Sequence, residues 1–296
     1  MTPVRARPLA DWAMLLALAA FWGSNFMFVK LGVSAIPPAT LVAARLVVGA
    51  LIMVAVVRAL GHTFPPLGPA WGPYVVLAVV GNCLPFWFIT WGQQHIDSAL
   101  AGVLMGAMPL MTLLIAHRFA AERATRYRTG GFVLGFLGVI VLMSPAALSG
   151  LGGAPSELLA QVSVLCGALC YAANSVIARV KVRADLMVAS AATVALAALI
   201  SIPVALALDR PWRLDPDWRA VALVLWIGVG PTAIATFIYF ALIRSAGPTF
   251  MSMQNYLTPC VALVAGMMLL GEQPGASAYA GLLLILAGIG VSQVRR

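Results

Sequence analysis

An all-α membrane protein is predicted, with ten transmembrane helices as two inverted five-helix repeats and both termini cytoplasmic. Three features of the sequence carry this. Of 296 residues, 62% are hydrophobic and 9% charged, where an ordinary soluble domain has roughly 25% charged residues. Ten apolar stretches of membrane-crossing length follow one another along the chain. The two halves of the chain also match when one is shifted onto the other by about 150 residues.

The composition excludes a soluble enzyme, because a core of this size cannot hide so much apolar surface behind a polar exterior. It equally excludes a disordered tail protein. Lipid must replace water as the outer solvent. The net charge of +9 comes from 18 basic and 9 acidic residues. The basic residues are scattered between apolar runs rather than gathered on a stripe, so no nucleic-acid partner is expected. Cys83, Cys166, Cys170 and Cys260 all lie in apolar runs. No histidine or further cysteine follows at ligand spacing, so they read as small buried hydrophobes, and no metal or other cofactor is expected.

The stretches run near 12–30, 37–57, 71–93, 98–117, 129–146, 158–179, 186–208, 219–243, 249–270 and 275–294. Each is close to the ~20 residues a helix needs to cross the hydrocarbon core. The first follows Arg5 and Arg7 and resembles a signal peptide, but it lacks a clear small-x-small cleavage site and nine further stretches follow. It is expected to be a retained helix. The second and third are less purely apolar, since they hold Arg45 and Asn82 with Gln93, and Gln94 follows directly. Short alternating segments, the mark of a β-barrel, are not seen. The longest clearly polar connection, Asp209 to Asp217, has no room for a folded domain. The halves, 1–146 and 155–296, are therefore expected to form one membrane body.

Basic residues set the orientation. With a cytoplasmic N-terminus, 13 of the 18 fall in inside segments. Lys30, Arg210, Arg213 and Arg219 fall outside, the three arginines among Asp209, Asp215 and Asp217, and Arg45 lies within a span.

The internal repeat is the most informative feature. At an offset of 150, Pro109 falls on Pro259, Glu122 on Glu272, Gly131 on Gly281 and Gly138 on Gly288. Earlier in the chain, at an offset of 149, Trp22-Gly23-Ser24-Asn25 falls on Tyr171-Ala172-Ala173-Asn174, and Lys30 on Arg179. Five helices per half is an odd number, so the second half must enter the membrane upside down. Secondary transporters recurrently use this architecture, with the substrate near the midplane between repeats.

Five plus five helices, the Trp22-Gly23-Ser24-Asn25-Phe26 segment and the repeated proline-to-glutamate spacing resemble the drug/metabolite transporter superfamily, in particular its EamA-type exporters. The resemblance covers nearly the whole chain. It implies a multi-pass transporter of the cell inner membrane, and among these exporters the likeness is to those of aromatic amino acids. The second copy departs from the pattern where Tyr171-Ala172-Ala173 stands for Trp-Gly-Ser.

Intramembrane polar residues are costly and mark candidate pathway positions. On the third stretch Asn82, Phe86, Thr90 and Gln93 follow helical spacing, with Trp87 beside them. The eighth offers Thr232, Thr236 and Tyr239; the first and sixth offer Trp22, Asn25, Tyr171 and Asn174; the ninth offers Ser252, Asn255 and Tyr256. Such a lining supplies amide and hydroxyl bonds with aromatic walls and little fixed charge, which suits a zwitterionic or neutral solute with an apolar side chain. Each residue equally fits a bond to a neighbouring helix, or for tryptophan an interfacial anchor. Arg45 has no counterpart in the second half, where Val194-Ala195-Leu196 stands. It can pair with a carbonyl end, snorkel, or meet a substrate carboxylate. Lys30 and Arg179, at helix ends, are expected to snorkel.

All nine carboxylates map to span ends or loops, so no buried carboxylate relay is expected. Pro109 and Pro259 each remove a helical hydrogen bond and serve either as hinges for alternating access or as static kinks. Glu122 and Glu272 follow the fourth and ninth helices and read as structural or gating residues. The Gly102–Gly106 and Gly131–Gly135 pairs read as close-packing sites. Together these features lead to a monomeric secondary carrier exporting neutral or aromatic amino acids and related metabolites. The alternatives are a multidrug or other metabolite exporter, sugar phosphates included, and a membrane-embedded enzyme. The sequence carries no H-E-x-x-H, G-x-S-x-G or mid-membrane aspartate pair for the last.

Overall fold

The computed structural model describes residues 8–66, 68–119, 126–150, 155–181, 185–251 and 253–292. Among the described residues there are helices and no strands. Hydropathy dictates this, because a backbone in lipid must satisfy its own hydrogen bonds. The first half comprises α1 (Leu9–Val33), α2 (Pro38–Ala59), α3 (Gly72–Ala78), α4 (Leu84–Gly92), α5 (Ser98–Met105), α6 (Met108–Phe119) and α7 (Arg126–Gly150). The second comprises α8 (Pro155–Lys181), α9 (Leu186–Leu208), α10 (Trp218–Ile227), α11 (Ala235–Ala246), α12 (Pro248–Met251), α13 (Gln254–Leu270) and α14 (Ala276–Ser292). Seven of the resulting rods are long and apolar enough to cross a membrane, and three shorter apolar helices, Thr129–Met143, Gln254–Leu270 and Ala276–Val291, accompany them.

Large apolar side chains stand outward along these rods. Leu16, Leu199, Met268 and Leu283 are 59%, 66%, 78% and 68% exposed. Exposure on that scale is stable against lipid and not against water.

Two rods carry a π-helical turn where the sequence suggests an unbroken helix. Val79–Cys83 joins α3 to α4, and Gly228–Ile234 joins α10 to α11. In the second, Pro231 has no N–H for the carbonyl of Ile227, and the Thr232 hydroxyl donates to that oxygen instead at 2.9 Å. The N–H of Ala235 reaches back to Gly230 O, and the Trp22 indole N–H donates to Pro231 O at 3.1 Å. The fourth stretch is also broken. Its helix stops at Met105 and restarts at Met108, so Pro109 sits in the first turn of α6, where a missing N–H costs little. Pro259 differs, lying inside α13.

Contacts between the halves hold the bundle. α1 packs on α13, α2 on α9, α4 on α8, and α7 on α14. Small residues permit the last of these: an added Cβ at Gly288 would meet Gly131 O and Gly135 N at 2.6 Å, and one at Gly138 would meet Gly281 O at 2.9 Å. Of the paired glycines expected to allow close packing, Gly102 faces Ala262 and Gly135 faces Leu110.

Candidate functional site

Arg45 lies seven residues into α2, about 10 Å along its axis. It is 3% exposed. Its Nη2 donates to Thr232 Oγ1 at 3.2 Å and to Asn25 Oδ1 at 3.4 Å. The guanidinium lies over the Phe86 ring, 3.9 Å from its centre, a cation–π contact strengthened by desolvation. Nε–H is buried and has no partner among the described residues. Tyr171 packs edge-on against Phe86, with centroids 6.3 Å apart. Side chains from α1, α2, α4, α8 and the second π-turn thus meet at one cation, and among the described residues none of its partners is anionic.

The Thr232 hydroxyl holds two places at once. It covers the carbonyl that Pro231 leaves bare and accepts from Arg45. Thr232→Val keeps the shape and loses both bonds. It is expected to lower the midpoint of thermal unfolding in detergent, each lost bond contributing about 1 kcal/mol; an unchanged midpoint would show the hydroxyl to be dispensable.

The other sequence-selected residues divide around this centre. Trp22 stacks at a tilt on Tyr239, 5.7 Å between centroids, and Thr236 bonds its own helix at Thr232 O. Asn174 abuts Gly81 in the first π-turn, and its Oδ1 is buried without a partner among the described residues; Asn82 falls within the same turn. Gln93 is fully buried and donates from Nε2 to Phe26 O at 2.7 Å, joining the α4 end to α1. Thr90 is buried in α4. Trp87 packs against Ala39, Ala43 and Ala205 and lines a surface groove of about 260 Å3 with Trp91 and Ser163. Tyr256 packs against the core around α5 and α13, and Asn255 is half-buried beside it. Ser252 lies outside the described residues. Sequence reasoning passed over Gln161, 1% exposed, which donates to Glu157 at 3.3 Å, and Ser163, which donates to Phe88 O at 2.9 Å. A polar residue within an apolar run was the signal for both.

The profile of the EamA-like transporter family matches residues 11–144 and matches again over residues 158–292. The chain belongs to the EamA-like transporter family. It is 26% identical over 263 residues to an Escherichia coli (strain K12) protein named uncharacterized inner membrane transporter YedA, across 87% of this chain and 82% of that protein. It is 22% identical to the Bacillus subtilis (strain 168) protein named uncharacterized transporter YoaV, across 93% and 94%. A solved crystal structure superposes with a TM-score of 0.67 at 18% identity, covering 96% of this chain and 97% of that one, which is a likeness of fold. This EamA-like protein is accordingly a multi-pass inner-membrane transporter of the drug/metabolite type.

A second polar cluster of the EamA-like chain sits at one end of the bundle, where α1, α4 and α13 finish and α5 begins. Lys30 does not simply snorkel. Its Nζ donates to Gln93 O at 2.9 Å and Ile96 O at 2.8 Å, the carbonyl end of α4, where a cation is favoured. Gly271 takes a φ of 67° and turns the chain, so Glu272 N–H returns to Gly266 O at 3.1 Å. Both oxygens of Glu272 then accept from the first turn of α5: Ser98 N–H and Ala99 N–H, each at 2.8 Å. In the same region Asp209 Oδ2 accepts from Thr40 N–H at 2.6 Å and Thr40 Oγ1 at 3.0 Å, capping α2.

Partial burial pushes the Asp97 carboxyl above its usual range, the Glu272 carboxylate pushes it further, and the Lys30 ammonium opposes both. A carboxyl whose folded pKa is raised binds its proton more tightly folded than unfolded, so it favours folding at low pH and that advantage is lost as pH rises through the carboxylate range. Asp97→Asn is therefore expected to raise the unfolding midpoint at neutral pH and to match wild type when both are measured in acid. A lower midpoint at neutral pH would overturn this assignment.

Proposed function

We propose that the protein is a ten-helix, alternating-access carrier that exports neutral and aromatic amino acids and related small metabolites. Its halves, 1–146 and 155–296, are five-helix repeats inverted in the membrane, with both termini cytoplasmic. The observation that carries the reading is the centre of the bundle, where Trp22 and Tyr239, Phe86 and Tyr171, and Asn25 and Thr232 converge from both halves. That lining offers aromatic faces and neutral hydrogen-bonding groups, the chemistry an aromatic or neutral amino acid needs.

Several features support the inverted arrangement. The family profile matches twice. The π-turns Val79–Cys83 and Gly228–Ile234 begin 149 residues apart, the offset of the repeat. Gly131 against Gly288 and Gly138 against Gly281 exchange places under a two-fold operation that maps each half on the other. Pro109, beside the break between α5 and α6, and Pro259, inside α13, are the proposed hinges. The partners of Arg45 among the described residues are all neutral, which supports a carrier that runs on the substrate's own gradient.

Counterflow in proteoliposomes without an imposed ion gradient tests this. Radiolabelled phenylalanine or leucine is expected to accumulate against an unlabelled internal pool. Failure of every neutral and aromatic amino acid would end the substrate reading, and a strict requirement for a pH gradient would end the uncoupled mechanism.

A further inference from the structure

Arg45 has more donors than the fold uses. A guanidinium on its own in a helix bundle is expensive, and a stable protein normally sets a carboxylate against it. Here the partners are an amide oxygen, a hydroxyl and an aromatic face. The two hydrogen bonds are long, at 3.4 and 3.2 Å, and both leave from Nη2. Nε–H, buried, makes none to any described residue. Nε and Nη2 share one edge of the planar fork, the edge that grips both oxygens of a carboxylate side-on. On that edge Nε–H is unspent, and Nη2 is held only by two long bonds to neutral acceptors that an anion can displace.

At the equivalent position the other half of the molecule has no such group. At the repeat offset of 149, Arg45 corresponds to Val194, Thr232 to Cys83 and Asn25 to Asn174. Val194 is buried in an apolar cluster with Leu46 and Ala197, Cys83 packs against the same cluster, and the Cys83 thiol bonds Ala197 O and accepts from Ser201. An arginine serving only as mortar between repeats would be expected to have a polar counterpart. A one-sided cation instead gives the site a direction.

We infer that Arg45 is the receptor for the carboxylate of the transported solute, gripping it side-on through Nε and Nη2 while Phe86 and Tyr171 flank the adjoining apolar part. Asn25 and Thr232 hold the fork in plane when the site is empty, and the carboxylate takes their place on Nη2. This rests on the transporter reading above and narrows its substrates to small monocarboxylates and zwitterions. Amines, amides and esters of the same skeleton are excluded.

Equilibrium binding to the purified full-length protein, followed by tryptophan fluorescence, tests the assignment apart from transport. The probes are phenylacetate, phenylalanine, phenylalaninamide and phenethylamine. Wild type is expected to bind the two carboxylates about tenfold or more tightly than the amide and amine, the range for a charge-assisted pair. Arg45→Gln is expected to lose that preference, and Arg45→Lys to recover part of it, having charge without the fork. Equal binding of acid and amide by wild type overturns the assignment, as does the absence of carboxylate binding or full preference in folded Arg45→Gln. If Arg45→Gln does not fold, the wild-type comparison and Arg45→Lys still decide. Phenylalanine counterflow without any carboxylate preference would overturn this inference and leave the carrier reading intact. Carboxylate preference without counterflow would do the reverse.

Discussion

Gly288→Leu is expected to cost the protein most of its folded yield. The α7–α14 contact brings backbone against backbone, with a Gly288 Cβ falling 2.6 Å from Gly131 O and from Gly135 N, and 2.8 Å from Gly135 Cα. Those atoms belong to a helix and cannot swing aside as a side-chain tip would. Gly138 and Gly281 close the other end of the same crossing, where an added Cβ meets Leu284 Cβ at 2.8 Å and Gly138 O at 3.0 Å respectively. Leucine must therefore push the helices apart along the whole contact. Lipid offers no hydrophobic force to bring them back, because association here rests on close packing. Overpacking typically costs about 1–3 kcal/mol, and a rigid backbone obstacle places Gly288→Leu toward the upper end. Gly290→Leu is the control: it lies on the same helix with nothing among the described residues within 4 Å of its would-be Cβ. Monodisperse yield and thermal midpoint in detergent are expected to fall sharply for Gly288→Leu and to stay near wild type for Gly290→Leu. Equal behaviour of the two would show that the crossing does not hold the halves together.

That crossing also marks how far the sequence could be read. Hydropathy measures what faces lipid, so it located the apolar helices well, and the in-register glycines 131, 138, 281 and 288 turned out to meet. Hydropathy does not say which helix faces which, and a spacing count assumes 3.6 residues per turn throughout. Two features escaped for that reason. The second π-turn has Pro231 withholding an N–H from Ile227 O, the Thr232 hydroxyl donating there instead, and Trp22, 209 residues away, covering Pro231 O; no local window contains that. Lys30 was legible as a helix-end cation, but its carbonyl partners at Gln93 and Ile96 depend on how α1 and α4 lie together. For the site, Arg45 was legible as a cost. Its surroundings come from four other segments and could only be seen once these were packed. Gln93, chosen as a pathway residue, uses its amide to bond Phe26 O, a bond between helices that the sequence reading had left open.

Glu272→Ala is expected to release one end of the bundle. Its carboxylate accepts from both Ser98 and Ala99 N–H, 174 and 173 residues away in sequence, and so ties the turn after α13 to the start of α5. Hydrogen bonds to a charged group contribute about 1.5–3 kcal/mol each, and the positive end of α5 adds to them. Alanine leaves two backbone donors bare and keeps nothing of the link. Glutamine keeps one acceptor without the charge and is expected to fall between. A carrier that alternates must break such a tie whenever this end opens, so weakening it should shift the resting population toward the open form as well as lower stability. Ala99, fully buried, reports on that directly when replaced by cysteine. An impermeant maleimide is expected to label Ala99→Cys slowly in the Glu272 background and several-fold faster with Glu272→Ala. In the proposed orientation this end faces outside, so labelling from outside intact cells is the informative direction. Unchanged labelling with a lowered unfolding midpoint would leave Glu272 as a helix cap alone, because a tie that opens with the transport cycle cannot be loosened without exposing what it covers.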